Sequence, residues 1–181
     1  MSITKSLLKS YLHELNNAQH LYTKLDAKNA DWRPRENMRT TLELMQYLCF
    51  IGKAMTAHFV NPVEDREAAR QQYRDLSKWS GHAVTFENFP EMIELEKDEI
   101  SNAFSNITDA DMQRMTYHPF SNQETTLFEA LLTVMKYLTA YRHQLFLYAK
   151  MSGAEIGTLN NWYGRDSQPA PAKPAVAEAV A

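Results

Sequence analysis

Tyr137 and Tyr141 stand four residues apart, and Arg142, His143 and Gln144 follow at once. On a helix that spacing puts both phenols on one face, a turn apart. Part of any site in this chain is expected here. Tyr47 sits in the middle of an earlier apolar stripe, and His58 lies eleven residues further along nearly the same stripe. His13 and His20 are seven apart, a spacing that permits a metal pair, but both fall near a polar face and read as surface histidines. Cys49 is the single cysteine, which excludes an internal disulfide and a thiolate metal cluster. It falls two residues past Tyr47, off the inward stripe, with no base beside it in sequence, so it reads as packed rather than nucleophilic. The acidic run from Glu94 to Glu99 reads as a solvated helix face rather than a carboxylate metal site.

Four amphipathic segments must position these residues. Apolar residues at helical spacing predict a first helix over Ile3 to Leu25. A second is predicted over Thr41 to Val60, opened by a threonine cap with Glu43 in its first turn and stopped by Pro62. Its inward face is Leu44, Tyr47, Leu48, Ile51, Met55 and Phe59. Residues 64–80 are polar and predict a short exposed helix anchored by Tyr73, Leu76 and Trp79, with a break at Gly81 and His82. A third long helix starts near Thr85 or Asn88, carries Pro90 in its first turn and continues to Ile107. The connection from Thr108 to Thr126 is long for a bundle, and His118-Pro119-Phe120 within it suits a lid or a β-like strand. Thr126 and Glu129 form a capping box that opens the fourth helix, Leu127 to Gly153. Its buried face is Leu127, Leu131, Val134, Leu138, Leu145 and Tyr148. The aromatics of the following segment, Trp162 and Tyr163, are expected to pin it to the bundle. The prediction is an all-α four-helix bundle with long connections, one domain over residues 1–165, and a disordered Ala/Pro-rich tail over 166–181.

Composition narrows the class. The 181 residues suffice for one sizeable core, and 44% hydrophobic with 23% charged content is ordinary for a globular chain. A net charge of -3 and a pI near 6.1 offer no basic surface, so neither nucleic acid nor an anionic membrane is an expected partner. No N-terminal run resembles a signal peptide and no apolar stretch is long enough to span a bilayer. A cytoplasmic location is the expectation. Five glycines argue against a turn-rich β fold and a phosphate-cradling loop.

The motifs, in their order and spacing, resemble the DinB/YfiT-like superfamily of bacterial four-helix bundles. Asp31-Trp32-Arg33-Pro34 followed by Thr40 to Leu48 resembles that family's WRP segment and the S/T-xx-E-L-xx-H-L start of its second helix. Asn106 to Met112 resembles its LTDEDL stretch. Glu129 to Leu132 through Tyr137 to Gln144 resembles its H-xxx-H-R-G-Q helix. The likeness spans residues 1–160 or so. It implies a site in which one histidine of helix two and two of helix four hold a divalent metal such as zinc or nickel. Those positions here are Tyr47, Tyr137 and Tyr141; His143 replaces the glycine, while Arg142 and Gln144 match.

A phenol titrating near pH 10 is a poor ligand for zinc or nickel where imidazole is a good one. No metal and no cofactor is therefore expected at the family position. The three hydroxyls are instead expected to converge and satisfy one another, walling a pocket for a small-molecule ligand, although the same residues also suit plain core aromatics with polar tips. Relatives of this fold include metal-dependent thiol transferases and a maleylpyruvate isomerase, chemistry that needs the metal to hold a thiolate. The resemblance therefore implies a fold and a metal-free binding or interaction module, expected as a homodimer. The alternative is a thiol-transferase-like enzyme with a displaced metal, for which His58, His118 and His143 are the candidate ligands.

Overall fold

A computed structural model describes residues 2–121 and 123–167. Four long helices form the bundle: α1 (Ile3–Tyr22), α2 (Thr41–Val60), α4 (Phe89–Ser105) and α5 (Leu127–Met151). Each is opened by local chemistry. The Ser2 side chain caps α1, and Thr40 and Thr126 make capping boxes with Glu43 and Glu129 at the starts of α2 and α5. Pro90 occupies the first turn of α4. α2 and α1 both pack against α4 and α5, so the four inward faces meet in one core. Tyr11, Leu15, Leu48, Ile93, Leu131, Val134 and Leu138 are fully buried there. No helix among the described residues is long and apolar enough to cross a membrane.

The remaining elements lean on this frame. α3 (Arg66–Ala83) packs on α2 and buries only Ala69 and Ser80. It runs through Gly81 and His82, where a break was predicted, because Ser80 donates to the Gln46 carbonyl and holds that end on α2. The long connection folds into a 3-10 turn (Asp109–Gln113) and a hairpin of β1 (Met115–Tyr117) and β2 (Glu124–Thr126), antiparallel, with Met115 opposite Thr126. The strand stands just before His118, where a β-like strand was one of the two expectations. Asp109 accepts from the backbone N–H groups of Ile3 and Thr4 and from the Ser2 and Thr4 hydroxyls, tying the turn to the start of α1. Those bonds hold its carboxyl well below the usual range.

Two expectations about exposure are corrected. Glu96 does not face water: it is fully buried and accepts from the Lys53 backbone N–H at 2.8 Å. Gly52 makes the room, since a Cβ there would stand 2.7 Å from the Glu96 Oε1 and 2.9 Å from the Ile100 Cδ1. The segment after α5 is pinned by asparagines rather than aromatics. Asn160 and Asn161 of α6 (Thr158–Tyr163) are buried, while Trp162 and Tyr163 are 52% and 59% exposed. Asp166 pairs with Lys24 at 2.7 Å and accepts from Asn160, so the chain is still anchored there. The rest of the expected tail, from Gln168, lies outside the described residues.

Candidate functional site

α2 and α5 lie side by side and bring Tyr47 and Tyr141 together, ring centroids 4.5 Å apart. Tyr47 is half-buried rather than directed to the core centre. Its hydroxyl meets that of Tyr73, from α3, at 3.2 Å. The Arg39 guanidinium, just before α2, sits 4.3 Å over the Tyr47 ring and 5.6 Å from the Tyr141 centroid. Phe50 packs edge-on to both Tyr47 and Tyr73. Burial, and next the hydroxyl of Tyr73, push the Tyr47 phenol well above its ordinary value, so it stays protonated and neutral at physiological pH.

Tyr137, one turn earlier on α5, has a different hydrogen-bond partner. Its hydroxyl lies 3.3 Å from His118 Nε2, at the end of the hairpin. Burial, then the neighbouring Tyr141 and Tyr73 phenols, raise its titration as well. Tyr47 and Tyr73 line an open cleft of about 580 Å3 with Arg33, Arg39 and Gln46. Tyr137 and His118 line a second open cleft of about 750 Å3 with Phe59 and Thr133. The tyrosines thus line two different clefts, Tyr47 and Tyr73 the first and Tyr137 the second.

Phenols kept protonated by burial and by one another do not fit zinc or nickel, which take deprotonated or neutral-nitrogen donors. Among the described residues no three His, Cys, Asp or Glu side chains are grouped so as to hold a metal ion. Of the displaced-site candidates, His58 and His118 are neighbours across the hairpin, and burial lowers the titration of both. His143 is elsewhere. Its Nδ1 lies 3.2 Å from Asn161 Oδ1 and its ring stacks on Phe146. Cys49 is fully buried, and burial drives its thiol well above the usual range, so no thiolate nucleophile forms there.

Arg142, next to Tyr141, turns into the core about a hundred degrees further round α5. It is fully buried, donates from Nε to Glu14 at 2.7 Å and from Nη1 to Asn161, and lies under the Trp162 ring. Its Nη2 has no partner among the described residues. This arginine locks α1, α5 and α6 together and touches neither cleft. His13 is exposed and bonds the Trp162 carbonyl, while His20 is half-buried beside Asn160, so the two serve the α6 contact separately.

Three residues of the site were not singled out for it from sequence. The sequence marks Tyr73 only as a packing anchor of an exposed helix, and no spacing connects it to Tyr47 twenty-six positions away. Arg39 lies in the irregular segment before α2, where no periodicity assigns a face. His118 had been considered only as a displaced metal ligand or part of a lid.

No family model matches the sequence, and no curated protein is matched by it. Among solved structures the chain is similar to a DinB-like protein, YjoA, from Bacillus subtilis. The two share 13% sequence identity, the match covers 84% of this chain and 96% of that one, and the TM-score is 0.61. The helix order, the bundle core and this likeness together give the chain a DinB-like fold.

Proposed function

We propose that this protein is a metal-free small-molecule-binding module whose ligand seats in the cleft walled by Tyr47 and Tyr73. One observation carries the reading. Where the family it resembles holds metal-binding histidines, this chain has tyrosines, and Tyr47 among them packs on Tyr141, bonds the Tyr73 hydroxyl and lies under Arg39. Aromatic faces with polar tips and a cation at the rim bind organic molecules through stacking and a few directed hydrogen bonds. The cleft volume suits a molecule of metabolite size. A thiol-transferase-like enzyme would need a third metal ligand beside His58 and His118, and His143 is held away by Asn161. The same reading takes the protein as cytoplasmic and as a homodimer through its helix faces, the assembly being tested by sedimentation velocity.

Saturation-transfer NMR with a panel of neutral and charged aromatic fragments tests the binding reading. Binders should lose their signal in Tyr47→Ala and Tyr73→Ala. A panel with no binder, or binders indifferent to both substitutions, would rule the cleft out as a ligand site.

A further inference from the structure

A third, smaller cavity lies between α2 and α3, with the hairpin closing one side. It measures about 280 Å3. Met55, Ala69, Leu76 and Pro119 form apolar walls. A cavity of about 150 Å3 already admits benzene, so this one has room for a ring with substituents. Tyr73 is shared with the tyrosine cleft, but its hydroxyl is engaged with Tyr47.

His58 supplies the wall's distinctive polar group. The residue is only 8% exposed and lines the cavity. Its ring is fixed by three contacts. Nε2 lies 3.0 Å from the Tyr117 carbonyl, and the Tyr117 and Phe59 rings meet it edge-on at 5.0 and 5.6 Å. A carbonyl can only accept, so the neutral ring carries its proton on Nε2 and Nδ1 is left as an acceptor. Nδ1 has no partner among the described residues. Burial lowers the titration of this imidazole, which favours the neutral form with that lone pair open. That acceptor is open to a donor entering the cavity that His58 lines.

We infer that this cavity binds a small neutral molecule with an apolar ring and one O–H or N–H donor, which donates to His58 Nδ1. The size, the apolar walls and the neutral His58 acceptor select phenol- or indole-like compounds over charged ones. Asn61 and Gln72, both exposed, border the cavity and mark its solvent side. The inference is independent of the tyrosine cleft, because Ala69 and His58 do not line that cleft.

Phenol and toluene are matched probes, alike in shape and differing in the donor. Titrated into the whole protein by calorimetry, phenol should bind about tenfold more tightly than toluene, the scale of one neutral hydrogen bond. The 15N resonance of His58 Nδ1 should move as phenol saturates. Ala69→Leu, which fills the cavity and leaves the His58 side chain itself unchanged, should abolish phenol binding. Equal affinity for the two probes, no binding of either, or phenol binding that survives Ala69→Leu would overturn the inference. If Ala69→Leu fails to fold, the wild-type resonance decides: a His58 Nδ1 signal unmoved at phenol saturation overturns it.

Discussion

Glu96→Gln is expected to stabilise the protein, and to do so more as pH rises. The carboxyl is fully buried; desolvation is the largest influence on it and pushes its titration up to about 8 from an ordinary 4.5. The Lys53 N–H and ammonium oppose that shift without cancelling it. Between those two values the folded chain keeps a proton that the unfolded chain has lost. Stability from this group is therefore full below pH 4.5 and falls as pH climbs to about 8. At about 1.4 kcal/mol per pH unit, the loss is about 3 kcal/mol at pH 7 and about 5 above pH 8. Glutamine keeps an oxygen for the Lys53 N–H and stays neutral, so it reproduces the protonated side chain at every pH. The buried histidines complicate the wild-type profile alone. Burial lowers the titration of His58 and His118, which adds stability as pH rises through their range. The difference between Glu96→Gln and wild type removes that background. Urea melts of both proteins at pH 5.5 and 7.5 should show the gap widening by about 3 kcal/mol in favour of the variant. A gap that stays level with pH would mean that Glu96 is ionised in the fold, and the reasoning would fail.

Other substitutions probe the same packing. Gly52→Ala forces a methyl against Glu96 Oε1 and Ile100 Cδ1 and should cost about 1–3 kcal/mol in thermal or urea melts. Glu14→Gln strips the charge partner from fully buried Arg142 and should cost about 3–5 kcal/mol; a neutral result would show the arginine reaching water instead. A double-mutant cycle of Tyr47→Phe and Tyr73→Phe should give a coupling of about 0.5–1 kcal/mol, the worth of one partly buried hydrogen bond. Tyr137→Phe, whose hydroxyl reaches only half-buried His118 at 3.3 Å, should cost less than about 0.5 kcal/mol.

The bundle was legible because its signals are local and periodic. The stripe Leu127, Leu131, Val134, Leu138, Leu145 and Tyr148 is buried as predicted, and Thr126 with Glu129 opens the helix as a capping box. Glu96 was misread because a charge run predicts a wet face unless a notch exists opposite it, and Gly52 lies on another helix forty-four positions away. The tyrosine site was half legible. Spacing places Tyr137 and Tyr141 on one side of α5, but one turn of rise along the helix is enough to give them different partners, His118 of the hairpin for Tyr137 and Tyr47 for Tyr141. Tyr73 and Arg39 enter through tertiary packing of an exposed helix and an irregular segment, which carry no period to read. Arg142 shows the same limit. Its position beside the tyrosines suggests a site residue, whereas the helix turns it a hundred degrees or so away, onto Glu14 and Asn161.

The central claim is that phenols have closed this position to divalent metal and opened it to organic ligands. Zinc and nickel titrations of the purified protein, followed by native mass spectrometry with elemental analysis, test it most directly. The account predicts no stoichiometric metal and masses unchanged by Tyr47→Phe or Tyr141→Phe beyond the lost oxygen. One tightly held zinc or nickel per chain, released by those same substitutions, would contradict it.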